Sequence, residues 1–119
     1  MRTVLAVDDD RDVRETAVEI LRTAGYRVIE AASPTQALEA LAAEPAVELL
    51  FTDITMPGMN GFELSRRAKR LHPGLRVLYT SGYMRDAPDG AWCAGNERLL
   101  RKPWRARQLQ DEVRGAIGR

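Results

Sequence analysis

The chain has 119 residues, enough for one compact domain that buries its own core without disulfides or structural zinc. A formal net charge of +1 and a single cysteine argue against a nucleic-acid binder, a membrane-surface protein and a cysteine-rich metal site. No apolar run approaches the ~20 residues of a membrane span, and Met1-Arg2-Thr3-Val4 leads straight into a strand pattern with no signal peptide, so a cytoplasmic protein is expected.

Strand-like and helix-like patterns alternate along the chain. Val4 to Val7 is a short apolar run that stops at three acids, Asp8, Asp9 and Asp10. Val13, Ala17, Ile20, Leu21 and Ala24 then share one helical face, and Gly25 suits the C′ position that ends a helix. Tyr26 to Glu30 reads as a second strand, less apolar and therefore at a sheet edge. Ser33-Pro34-Thr35-Gln36 combines an N-cap, an N1 proline and a capping-box glutamine, and the helix it opens should end before Pro45. Val47 to Phe51 is a central strand ending at Thr52-Asp53. A turn-rich loop, Met56-Pro57-Gly58-Met59-Asn60-Gly61, leads into a helix with Phe62, Ala68 and Leu71, closed by His72-Pro73-Gly74. Leu75 to Tyr79 is a fourth strand. Met84 to Asn96 is poorly helical, because Pro88, Gly90 and Gly95 all oppose a regular helix. Leu99-Leu100 is a short fifth strand, and a last helix from about Trp104 buries Leu109, Val113, Ala116 and Ile117.

Strands alternating with helices predict a parallel sheet with helices on both faces. In such a sheet the C-terminal strand ends meet along one edge, where ligands bind. Four segments fall at those ends: Asp8-Asp9-Asp10, Thr52-Asp53, Thr80-Ser81-Gly82 and Arg101-Lys102-Pro103. They gather carboxylates, a hydroxyl and an ammonium. Carboxylates that close repel one another unless a cation sits among them, so the set points to a divalent metal and an anionic reactant such as phosphate.

Together Asp8-Asp9, the block Thr52-Asp53-Ile54-Thr55-Met56-Pro57-Gly58-Met59-Asn60-Gly61, Ser81-Gly82 and Lys102-Pro103 resemble the receiver domain of two-component response regulators over essentially the whole chain. The resemblance implies one receiver domain over residues 1–119, with a flavodoxin-like, five-stranded parallel sheet in order 2-1-3-4-5 and five flanking helices. It implies that Asp53 accepts a phosphoryl group from a phosphohistidine on a histidine kinase or histidine phosphotransfer protein. It further implies that Asp8 and Asp9 hold Mg²⁺ with Asp53, Asp9 directly and Asp8 through water, and that the Thr55 backbone carbonyl is a further ligand. Ser81 is similar to the hydroxyl that bonds the phosphoryl oxygen on activation, Lys102 to the lysine that pairs with the phosphoryl group, and the Lys102–Pro103 bond is expected to be cis. The downstream protein partner is not specified by any motif.

Other readings attach to some of these residues. Asp10 is better read as an N-cap of the first helix. Thr80 competes with Ser81 for the hydroxyl role. His72 reads as structural, Cys93 as an ordinary loop or helix residue, and Trp92 and Trp104 as packing or partner-surface residues. Arg98, Arg101, Arg105 and Arg107 form a local basic cluster, either a solvated face or a surface for an acidic partner. Leu99 stands where many receivers carry an aromatic switch residue, so the fifth-strand surface is expected to respond less to phosphorylation. A receiver that binds partners without phosphorylation is the main alternative. A small Mg²⁺-dependent aspartyl phosphatase fits less well, because Asp8-Asp9-Asp10-Arg11-Asp12 lacks the Thr or Val of that pattern. An FMN carrier would need a Ser-, Thr- and Gly-rich loop where this chain has acids.

Overall fold

The computed structural model describes residues 2–82, 93–94 and 97–117. In chain order they form β1 (Thr3–Val7), α1 (Arg11–Thr23), β2 (Arg27–Ala31), α2 (Pro34–Ala43), β3 (Val47–Asp53), α3 (Gly61–Leu71), β4 (Arg76–Ser81), β5 (Cys93–Ala94), β6 (Glu97–Arg101) and α4 (Ala106–Ile117). The sheet order is β2-β1-β3-β4-β6-β5. The five strands β2, β1, β3, β4 and β6 are parallel to their neighbours, giving the flavodoxin-like order that the sequence implied. The two-residue β5, which the sequence reading did not anticipate, pairs antiparallel with β6 at the edge. Four helices lie among the described residues. The poorly helical stretch Met84 to Asn96, with Trp92, falls outside them apart from the two residues of β5.

Local chemistry sets the helix ends. The Asp10 carboxylate caps α1 by accepting from the amides of Asp12 and Val13, the role expected of it. Gly25, at φ +99°, takes the left-handed conformation that closes α1. Ser33 caps α2, with Pro34 in its first turn. Gln36 departs from the expected capping box: its Oε1 accepts from the Ala32 amide at 2.8 Å, one residue before the cap. Asn60 caps α3 by accepting from the Glu63 amide. At its far end the two His72 ring nitrogens lie 2.8 Å from the Leu41 carbonyl and 3.4 Å from that of Val47, a structural role.

All five residues of β1 are buried, as expected for a strand covered on both faces. Leu5 and Val7 enter one core with Ala37 and Leu41 of α2 and Leu64 and Ala68 of α3. Val4 and Ala6 enter the other with Ala17 and Leu21 of α1 and Leu109 and Val113 of α4. Each fully buried leucine contributes about 1.5–3 kcal/mol of transfer free energy, and burial on both faces holds the strands in register. The exposed Arg27 and Glu30 of β2 fit its place at the edge.

Strands β3 and β4 each run further than the apolar runs suggested. Thr52 and Asp53 remain in β3, and Thr80 and Ser81 in β4. α4 begins two residues after Trp104, where Gln108 Oε1 accepts the Arg105 amide at 2.7 Å. The Lys102–Pro103 bond is cis.

Candidate functional site

The C-terminal ends of β1, β3, β4 and β6 converge on one edge of the sheet. β1 delivers Asp8, which is buried, and its neighbour Asp9, which is exposed. β3 delivers the buried Asp53 as its last residue. One carboxylate oxygen from each of Asp8, Asp9 and Asp53 lies within 4.8 Å of the other two, so the edge is compatible with a divalent metal site. Hard oxygen donors on a shallow edge suit a cation that keeps part of its hydration shell.

Lys102 follows β6 and reaches back across this cluster. Its Nζ lies 3.0 Å from Asp53 Oδ2 and 3.1 Å from Asp8 Oδ2. Burial lowers the affinity of this ammonium for its proton, but the hydrogen bonds and charges of Asp53 and Asp8 outweigh that effect and hold its pKa above the ordinary lysine value. Asp8 shows the opposite balance. Burial raises its carboxyl above the usual range, although the Asp10 amide, at 2.9 Å from Asp8 Oδ1, and Lys102 both favour the ionised form.

The loops around the acids are tied down by backbone bonds. The Thr55 amide donates to Asp53 Oδ1 at 3.2 Å, so the structure shows the N–H of Thr55 facing the carboxylate. The Ile54 amide donates to the Thr80 carbonyl, and the Lys102 amide to the Ser81 carbonyl. Ser81 is buried at the end of β4, in register with Arg101. The neighbouring Thr80 hydroxyl, its rival in the sequence, accepts instead from the Trp104 indole at 3.1 Å. Arg98, from the basic cluster, pairs with Glu112.

Three residues that shape the site were not singled out from the sequence. Arg14 Nη1 donates to the Asp8 carbonyl at 2.8 Å and anchors the acidic turn; a lone arginine on an amphipathic helix carries no signal for this. Gly61 packs so tightly that a Cβ there would lie 2.5 Å from the Asp53 carbonyl oxygen, a constraint hidden within an ordinary-looking turn. Trp104, read from the sequence as a packing or partner-surface residue, reaches β4 at Thr80, one residue before Ser81.

The family model described as "Response regulator receiver domain" matches residues 4–114. The chain belongs to the response regulator receiver family. The domain is 37% identical over 115 residues to the response regulator receiver protein CpdR of Brucella abortus (strain 2308), covering 95% of this chain and 94% of that protein. Other relatives are far longer. A 40% identity over 86 residues to the sensor kinase CckA of the same organism covers 71% of this chain and 9% of the kinase. Among solved structures, the receiver domain from hybrid histidine kinase CckA superposes with a TM-score of 0.82 at 29% identity, covering 97% of this chain and 98% of that one. A response regulator receiver protein from Sinorhizobium medicae WSM419 gives 0.84 at 26% identity, over 98% and 94%. This receiver domain is thus a module of two-component signalling proteins, and among its described residues no helix is long and apolar enough to cross a membrane.

Proposed function

We propose that residues 1–119 act as one phosphoacceptor receiver domain in which Asp53 takes a phosphoryl group from a phosphohistidine and thereby changes the domain's partner surface. The observation that carries this reading is the single ammonium of Lys102 shared between Asp53 and Asp8 at an edge that also holds Asp9.

Asp53 needs no general base, because a carboxylate is already ionised at neutral pH. One of its oxygens attacks phosphorus. The P–N bond to the donor imidazole breaks with its electron pair returning to nitrogen, and a P–O bond forms to give an acyl phosphate. Later attack by water returns the carboxylate and inorganic phosphate. The obstacle is repulsion between anions. Lys102 answers it by turning N–H groups from Asp53 toward the incoming oxygens, while the Ser81 hydroxyl and the amide at Thr55 supply hydrogen bonds. Asp9 and Asp53 would hold Mg²⁺ directly, Asp8 through water, with the Thr55 carbonyl as a further ligand. When bound, the ion would neutralise charge on the phosphoryl oxygens.

A histidine kinase or histidine phosphotransfer protein would supply the phosphohistidine, and an unspecified downstream protein would read the switched surface. The likeness to regulators and to a segment of a sensor kinase supports that assignment. An open depression of about 300 Å³, lined by Val13, Thr16, Pro103 and Trp104 beside Lys102, offers a donor an apolar footing next to the acceptor.

The test is intact-mass spectrometry after incubation with phosphoramidate and Mg²⁺. Wild type should gain one phosphoryl group and Asp53→Asn none. Equal labelling of Asp53→Asn would overturn the assignment.

A further inference from the structure

The turn that carries Lys102 is fastened to β4 at two consecutive residues. The Lys102 amide donates to the Ser81 carbonyl at 2.9 Å, and the Trp104 indole donates to the Thr80 hydroxyl at 3.1 Å. The Thr80 carbonyl in turn accepts at 3.0 Å from the amide of Ile54, the residue after Asp53. Thr80 therefore touches both the loop that follows the acceptor and the loop that aims the lysine. It is only 1% exposed, so its hydroxyl depends on a partner inside the protein. The indole also packs edge-on against Phe51, with ring centroids 6.1 Å apart and planes at 62°. Phe51 lies two residues before Asp53, and Thr80 is in register with Asp53 on the adjacent strand. The indole thus spans β3 and β4 beneath the carboxylates. A lysine ammonium rides on a flexible four-carbon stem, so its aim depends on where its backbone is held.

We propose that Trp104 is a positioning residue for phosphoryl transfer, acting through Thr80 to hold Lys102 across Asp8 and Asp53. The inference rests on the phosphoacceptor reading of Asp53.

The experiment uses phosphoramidate, so that no protein donor has to dock. Its P–N bond breaks, a P–O bond to Asp53 forms, and the nitrogen leaves as ammonia after taking a proton from water. Phosphorylation rates and Mg²⁺ affinities are measured for wild type, Thr80→Val, Trp104→Phe, the double variant and Thr80→Ser, well below every melting midpoint. Loss of one neutral hydrogen bond should slow Thr80→Val and Trp104→Phe by about three- to tenfold each. The double variant should be no slower than the slower single, since both remove the same bond. Thr80→Ser should restore the rate to within about twofold, and rates are compared at Mg²⁺ concentrations that saturate each variant, so that an altered affinity does not enter them. A merely structural role would lower the melting midpoint and leave the rate of the folded protein alone. If Trp104→Phe fails to fold, Thr80→Val against Thr80→Ser decides the matter.

Wild-type rates in Thr80→Val, or losses that multiply in the double variant, would overturn the inference while the phosphoacceptor reading stands. Failure of wild type to label at Asp53 would remove that reading and the inference with it.

Discussion

Burial sets the behaviour of Asp8, raising its carboxyl above the ordinary range against the pull of the Asp10 amide and Lys102, with the Asp53 charge adding to the rise. The folded state therefore holds that proton more tightly than the unfolded chain. Stability falls as pH rises from the ordinary carboxylate range through the raised value, and the deficit persists at neutral pH. Asp8→Asn keeps the acceptor for the Asp10 amide and removes one like charge. It should raise the melting midpoint in EDTA, and it should weaken the stabilisation that the proposed Mg²⁺ binding would give wild type. Differential scanning calorimetry with and without Mg²⁺ checks both; an unchanged midpoint in EDTA would contradict the argument. Gly61 poses a different constraint. Its φ is not left-handed, so space alone excludes a side chain. Gly61→Ala should cost about 2 kcal/mol or more in urea unfolding, because the obstacle is the Asp53 carbonyl and backbone cannot swing aside. The placement of Asp8, Asp9, Asp53 and Lys102 at one edge was legible because each follows an apolar run. Arg14 and Gly61 were not, because their partners are backbone carbonyls that leave no mark in the sequence.

The strands and helices show a similar division. Caps and breakers such as Asp10, Gly25 and Ser33 announced the helix ends, whereas Asn60, read only within a turn-rich loop, caps α3. Strand ends were harder to read, because Thr52, Asp53, Thr80 and Ser81 are polar and yet continue the ladder. Strand β4 also carries Tyr79, in register with Leu99 of β6 and tilted against Phe62 at 4.9 Å. Leu99 is buried in the same core, so an aromatic ring stands beside the position where the sequence lacks one. Burial pushes the Tyr79 hydroxyl up to about 12, with Ser65 and Glu97 as its hydrogen-bond partners, and Lys69 pairs with Glu97. The raised value means that stability is lost as pH climbs from about 10 toward 12, where the unfolded chain releases the proton first. Tyr79→Phe should flatten that part of the alkaline stability curve, measured by urea unfolding at stepped pH. An identical curve would show that another group controls it.

For the whole molecule, the two cores lie on opposite faces of the sheet, and the site edge touches both helical layers directly, through Arg14 of α1 at the Asp8 carbonyl and Gly61 of α3 at the Asp53 carbonyl. Ser81 ends β4, the strand that borders β6, and a hydrogen bond from its hydroxyl to a phosphoryl oxygen would contribute about 1.5–3 kcal/mol. Amide hydrogen exchange with beryllofluoride should therefore show protection after β4 in wild type that Ser81→Ala loses. The buried aliphatic Leu99 should change little in either protein. Equal protection in both would remove Ser81 as the relay, and a large change at Leu99 would show that β6 switches without an aromatic of its own.

Lys102 leaves one part of the molecule under-compensated: its ammonium serves Asp8 and Asp53, and Asp9 adds a third carboxylate at the same edge, while the chain as a whole carries a formal charge of +1. The site edge is thus acidic in a chain whose formal charge is slightly positive. Converting the Asp53 carboxylate to an acyl phosphate adds about one more negative charge and brings the formal total close to zero near neutral pH. The modified protein would sit near its isoelectric point, where proteins associate most readily. Isoelectric focusing in the cold should resolve the two forms, with the phosphorylated band moved toward the acid end.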